Sequence, residues 1–157
     1  MPTLFLIGGL PGAGKTTLAR ALEQAESALR LDADEWVLAL AVNSADGEET
    51  DRLRPIIHEK LWKLATRALE IGVNVTIERS FWTRELRETY RIRAQALVGV
   101  RVELHVLEAG FEELWARLNE RNANLPEGTF RVTREDLERF WSWFEPPTYT
   151  ELELYSN

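Results

Sequence analysis

The sequence predicts an α/β fold of three layers, a mostly parallel sheet between two layers of helices. Two observations carry this expectation. Short apolar runs alternate along the chain with stretches whose apolar residues recur at helical spacing, and the first run empties into a glycine-rich loop that opens a helix. A chain of 157 residues, 45% hydrophobic and 29% charged, falls outside the disordered, collagen-like and membrane-barrel classes. It is long enough to bury one core without staples, and with no internal repeat or linker a single domain over residues 1–157 is expected.

Residues 3–7 are a nearly continuous apolar run, the mark of a strand buried on both faces. Helical spacing of Leu18, Leu22, Ala25 and Leu29 predicts a helix over residues 15–29. A short second strand follows at residues 28–31, and Asp34 and Glu35 stand where the next helix begins, carried on by the apolar run 36–42. The polar residues 43–50 read as a loop. A helix over 51–71 then carries the stripe Ile57, Leu61, Leu64, Ala65, Ala68 and Leu69, with Pro55 near its first turn and Gly72 at its end.

Strand 73–77 leads to Glu78, and helix 83–97, strand 100–107 and helix 111–121 continue the alternation. Thr133 and Asp136 resemble a capping box, after which Leu137, Phe140, Trp141 and Phe144 share one helical face, expected to be core, until Pro146 and Pro147 stop the helix. Residues 151–155, where Leu152 and Leu154 alternate with acids, read as a last strand, giving five in all.

The run Gly9-Leu10-Pro11-Gly12-Ala13-Gly14-Lys15-Thr16 fits G-x-x-x-x-G-K-[ST] at every fixed position, between a predicted strand and a predicted helix. Glycines let consecutive backbone N–H groups turn inward, and the helix N-terminus adds its positive end, so the loop is a nest for phosphates. Lys15 would reach the β and γ phosphates, Thr16 would take one position around magnesium, and Thr17 is a supporting candidate. A dinucleotide fingerprint is excluded because Thr17 stands where its third glycine belongs, and the guanine signature Asn-Lys-x-Asp is missing. ATP with Mg²⁺ is therefore the expected ligand.

Ligands of open α/β sheets bind beyond the strand carboxyl ends, where Asp32, Asp34 and Glu78 all fall. Phosphoryl transfer to a hydroxyl needs one carboxylate as base and another on the metal side. Asp34 is the expected base and Glu78 the metal-side acid. In an extended stretch Asp32 and Asp34 point the same way, so Asp32 can share or exchange either role. Arg117 and Arg121, four apart on one helix, suit a phosphate-clamping lid. Phe81, Trp82, Arg84 and Arg87 line an expected acceptor pocket or pack into the core, and His58 and His105 lack metal-ligand spacing.

Net charge of −7 disfavours nucleic acid as a partner, and the longest apolar run is far too short to span a membrane. With no cysteine and no secretory pattern at the first residues, a cytoplasmic location is expected.

Taken in order, the phosphate loop, Leu31-Asp32-Ala33-Asp34, Glu78-Arg79-Ser80-Phe81-Trp82, Arg117-Leu118-Asn119-Glu120-Arg121-Asn122 and Phe144-Glu145-Pro146-Pro147 resemble the small AAA-like P-loop kinase-type ATPases over nearly the whole chain. That group is similar to zeta toxins, chloramphenicol phosphotransferase, gluconate kinase and the kinase domain of polynucleotide kinases. The resemblance implies a P-loop NTPase fold with strand order 2-3-1-4-5 and a small mobile helical lid near residues 117–124. It also implies Lys15 and Thr16 on phosphate and magnesium, Asp34 activating the acceptor, and Arg117 with Arg121 in the lid. Val37 stands where polynucleotide kinases carry an arginine, and Glu78 replaces their aspartate, which argues against phosphorylating nucleic-acid 5′-hydroxyls. The expectation is transfer of the ATP γ-phosphoryl to a small-molecule hydroxyl. Its alternatives are a nucleotide-driven switch acting through a protein partner, and a polynucleotide kinase.

Overall fold

The computed structural model describes residues 1–43 and 47–155. Along the chain run β1 (Thr3–Gly9), α1 (Lys15–Ala25), β2 (Leu29–Asp32), α2 (Ala33–Leu40), α3 (Gly47–Glu70) and β3 (Val75–Glu78). They are followed by α4 (Arg84–Gln95), β4 (Arg101–Leu107), α5 (Phe111–Ala123), α6 (Arg134–Trp143) and α7 (Tyr149–Glu153). The strands form one parallel sheet in the order β2-β3-β1-β4, with Leu6 beside both Ile77 and Leu104 and with Leu31 beside Ile77. Right-handed crossovers send α1 to one face and α3 and α4 to the other. On that second face the Arg93 guanidinium of α4 lies 4.4 Å from the centre of the Trp62 ring of α3.

The register sets the site. Ile7 and Asp32 both lie level with Glu78, so β1, β2 and β3 end side by side and deliver the glycine loop and two acids to one edge of the sheet. Beneath them Leu4, Leu6, Val75 and Ile77 join Leu61, Trp62, Leu69, Phe81 and Tyr90 in the main core. A second cluster, Leu10, Leu114, Leu118, Val132 and Leu137, fastens α5 and α6 to the glycine loop itself. Burying a leucine such as Leu10 contributes about 1.5–3 kcal/mol, enough to hold the loop against α5.

Among the described residues the sheet has four strands, not the expected five, and the order ends at β4. Residues 151–155 begin inside helix α7, capped by Thr148, whose Oγ1 accepts from the Glu151 N–H at 3.2 Å. The alternation of leucines misled: Leu152 and Leu154 are 37% and 42% exposed, whereas the buried residues are Glu151 and Tyr155, four apart as a helix requires.

Other boundaries moved for local reasons. α1 stops at Ala25 because Ser27 turns the chain at φ 51°, releasing Leu29 into β2. α3 begins at Gly47, inside the expected loop, where Glu48 and Glu49 favour a helix start and the Glu49 carboxylate accepts the Val42 and Asn43 N–H groups at 3.0 and 2.9 Å. Residues 44–46 of that loop lie outside the described residues. Pro55 is therefore interior to the helix and leaves the Asp51 carbonyl without its helical donor. Leu64 and Trp141, expected in the core, are exposed. No described helix is long and apolar enough to cross a membrane.

Candidate active site at the strand carboxyl ends

The glycine loop adopts a shape that side chains would forbid. Gly9, Gly12 and Gly14 have φ of 141°, 83° and 101°, and a Cβ on Gly9 would stand 2.6 Å from the Leu107 carbonyl oxygen. Gly14 caps α1 without a side-chain hydrogen bond, and the first turn holds no acid, so the N-terminal N–H groups of the helix suit an anion. Leu10 contributes backbone only, since its side chain is sunk in the second cluster, and Thr17 is exposed. Pro11 and Ala13 complete the turn, closed by Ala13 N–H donating to Leu10 O at 3.1 Å.

Lys15 folds back on its own loop, its Nζ donating to Gly9 O at 2.8 Å and Leu10 O at 3.0 Å. Trp82 Nε1 donates to the same Gly9 carbonyl at 3.0 Å. Burial pushes the Lys15 ammonium down to about 8, against the pull of Asp34 and Glu78, so it stays charged at neutral pH.

Glu78 is buried and fully engaged: Oε1 accepts from Thr16 Oγ1 at 2.8 Å and Oε2 from Arg30 at 2.9 Å. Arg30 also donates to Glu35 at 2.6 Å and lies 3.7 Å from Asp32. Burial disfavours the Arg30 cation, but its bonds to Glu35 and Glu78 prevail and raise its pKa. Asp32 and Asp34 do not share one extended stretch. β2 ends at Asp32 because Asp32 Oδ1 caps α2, accepting from Asp34 N at 2.9 Å, which puts Asp34 in the first turn of a helix. Burial, then the neighbouring Glu78 and Asp34, push the Asp32 carboxyl up to about 7. Asp34 is half exposed, and its Oδ1 accepts from Arg54 at 2.9 Å.

The two arginines expected in a lid part company. Arg117 is exposed, donating to Gly12 O at 3.1 Å and Glu113 at 2.5 Å. Arg121 turns inward: Nη2 reaches Phe130 O at 3.3 Å while the buried Nε has no hydrogen-bond partner among the described residues. Burial lowers the Arg121 pKa, Asp34 opposes that, and the charge is felt at Lys15. Lys15, Thr16, Asp32, Asp34, Glu78 and Arg121 thus form one cluster, with Arg117 set apart beside Gly12. The chain after α5 folds back over α2. Asn122 holds Val132 O at 2.7 Å, and a Cβ on Gly128 would meet Glu35 Cγ at 2.9 Å.

Arg30 and Arg54 escaped the sequence reading; nothing local marks them. Of the expected acceptor-pocket residues, Phe81 and Arg87 are fully buried. Arg87 donates to Phe81 O, Trp82 O and Glu145 O and grips Glu151 at 2.5 and 3.0 Å, while Tyr155 Oη donates to Arg87 O at 3.1 Å. This group supports Trp82 against the glycine loop. The i, i+4 spacing of Glu151 and Tyr155 was the available signal.

Magnesium and a nucleotide suit this donor set. The bare helix start and inward-facing glycines fit a polyphosphate, and the Thr16–Glu78 pair beside them fits a cation that keeps most of its water and takes its other ligands from phosphate. No cage of three or more acidic or histidine ligands occurs among the described residues, and such an ion needs none.

Comparison with known proteins agrees with this geometry. A family model described as an AAA domain matches residues 4–147, and the chain belongs to this family of P-loop, kinase-like domains. No curated protein matches the sequence. Among solved structures, a protein of Chloroflexus aurantiacus described as a candidate kinase is 23% identical with a TM-score of 0.74, over 94% of this chain and 83% of that one. A gluconokinase from Sinorhizobium meliloti is 14% identical (TM-score 0.61, 96% and 79% covered). Kti12 of Chaetomium thermophilum, solved with ADP-AlF3, is 22% identical (TM-score 0.59, 94% and 82% covered). These likenesses establish the P-loop kinase fold.

Proposed function

We propose that the protein transfers the γ-phosphoryl group of ATP to a hydroxyl of a small molecule. The observation that carries this reading is the convergence of Lys15, Thr16 with Glu78, Asp34 and Arg121 at the mouth of one glycine loop. The gluconokinase among the similar structures supports a small acceptor.

In this mechanism the loop N–H groups and Lys15 hold the β and γ phosphates, and Lys15 leaves Gly9 O and Leu10 O to do so. Thr16 and Glu78 would hold magnesium, which supplies charge neutralisation at the phosphate oxygens. Asp34 takes the acceptor proton as the acceptor oxygen bonds to the γ-phosphorus. The bond from that phosphorus to its bridging oxygen breaks, and ADP leaves with the electron pair. Arg121 meets the charge that develops on the transferring group; its Nε, buried and without a partner among the described residues, still has a hydrogen bond to give when the side chain moves to the nucleotide. Asp32 serves as the α2 cap, its Oδ1 taken by the Asp34 N–H at 2.9 Å.

The test is ADP release from MgATP with a panel of hydroxyl compounds and a 5′-hydroxyl oligonucleotide, with product mass as the readout. Acceptor-dependent turnover lost in Asp34→Ala supports the reading; ADP release that no acceptor accelerates and that Asp34→Ala leaves unchanged overturns it.

A further inference from the structure

Beside Asp34 the structure gathers a cationic wall in a chain whose net charge is −7. Arg54 and His58 stand four apart on α3, and Arg79 follows the carboxyl end of β3. Arg54 is fixed from two sides, by Asp34 at 2.9 Å and by the ring of Phe130, whose centre lies 4.6 Å from its guanidinium carbon. Arg79 is oriented by a neutral partner, donating to Tyr90 Oη at 2.7 Å above the Tyr90 ring, and it enters no ion pair among the described residues. Trp62, four residues beyond His58 on α3, packs edge-on against Tyr90 with ring centres 5.3 Å apart, which brings Arg79 to the same side of α3 as Arg54 and His58; burial first, then Arg79 and Arg54, hold the His58 pKa down to about 3, so it adds no charge. Two acids pair with Arg54: Asp51, exposed on the same helix, lies 3.9 Å from its Nε, and Asp34 lies 2.9 Å from its Nη1; on the functional reading above Asp34 is the base.

A carboxylate that must accept a proton is poorly served by a guanidinium bound to it. A neutral acceptor offers Arg54 nothing in exchange and leaves Arg79 without a counter-ion. An acceptor bearing its own anion offers both, because a planar guanidinium binds phosphate or carboxylate through paired N–H groups. We propose that the acceptor is a small anionic alcohol, carrying a phosphate or carboxylate that Arg54 and Arg79 bind, and that its arrival draws Arg54 from Asp34. The base is thereby masked until an acceptor of the right charge is in place. This inference rests on the phosphoryl-transfer reading. It extends that reading with a substrate class and two positioning residues, Arg54 and Arg79.

Two measurements on the full chain test it. In the first, MgATP turnover is followed with matched alcohols differing in one anionic group: glycerol against glycerol 3-phosphate, and glycerol against glycerate. The charged member of at least one pair shows a KM about tenfold or more below its neutral partner, the phosphate and carboxylate arms separating the two anions. In the second, inorganic phosphate is titrated into protein saturated with magnesium and a non-hydrolysable ATP analogue, so that the glycine loop is already filled. Phosphate binds the wild type; Arg54→Gln and Arg79→Gln each weaken it about tenfold, Arg54→Lys weakens it less than Arg54→Gln, and Arg91→Gln on the outer part of α4 leaves it unchanged. Neutral alcohols performing as well as charged ones, faster turnover on a 5′-hydroxyl oligonucleotide, or phosphate affinity untouched in both glutamine variants overturns the inference. Failure of the analogue to bind sinks the phosphoryl-transfer reading itself. Binding of the analogue with neither phosphate binding nor a preference for glycerate sinks only the anionic acceptor.

Discussion

The Thr16 hydroxyl donates to Glu78 Oε1 at 2.8 Å, which makes the glycine loop and the end of β3 one hydrogen-bonded unit. Through Oε2 the same carboxylate reaches Arg30, so the start of α1, β2 and β3 are tied at a single buried group.

Glu78→Gln keeps the volume and removes the charge. Groups behind a metal ligand typically account for about 10–100-fold in metal affinity or activity. The dependence of nucleotide affinity on magnesium should therefore fall by about tenfold, measured by titrating a fluorescent ATP analogue with and without the ion. An unchanged magnesium dependence would remove Glu78 from the metal side.

Asp34→Ala separates chemistry from binding. Loss of a general base lowers turnover by about 10²–10⁴-fold, while the affinity for MgATP, held by the loop and Lys15, should stay close to that of the wild type. A parallel loss of affinity would mean that Asp34 helps hold the nucleotide instead.

Asp32 gives the stability a pH signature. Its native carboxyl titrates near 7 and an unperturbed one near 3.8, so below the lower value both states carry the proton and its contribution is complete. As pH rises between the two, the unfolded chain releases the proton while the native state retains it, and stability is lost through about 7. Asp32→Asn retains a capping oxygen. Its urea midpoint should exceed that of the wild type at about pH 8 and converge with it at about pH 4. Parallel profiles would show that the carboxyl is not perturbed.

Arg87 and Glu151 form a buried pair. Removing one partner strands a charge, and Arg87→Ala should cost about 3–5 kcal/mol in chemical denaturation. Replacing both at once, Arg87→Met with Glu151→Leu, should recover much of that. If Arg87→Ala shifted the midpoint by only about 0.5 kcal/mol, the value for an ordinary surface change, the pair would carry no structural weight.

What could be read from the chain beforehand followed the range of the interaction. Helical and strand periodicity is local, and the β/α order, the glycine loop and the Thr133 capping box all appear where their patterns lie. The last strand failed because its alternation was set against a partner that no adjacent residue reveals: Glu151 turns inward for an arginine 64 positions away. Arg30 met Glu78 across 48 positions and Arg54 met Asp34 across 20, distances over which one sequence gives no pairing signal. Arg117 and Arg121 looked equivalent by spacing, yet Arg121 turns toward the loop after α5 and Arg117 pairs with Glu113 on its own helix.

The family match stops at residue 147, and the Arg87 counter-ion stands at 151. A recombinant fragment trimmed to the homology boundary would leave that guanidinium stranded beneath Trp82, the residue braced against the glycine loop. Such a fragment would lose nucleotide affinity through a truncation that touches no phosphate ligand, and the last eight residues described, 148–155, belong to the minimal working unit even though the family pattern does not include them.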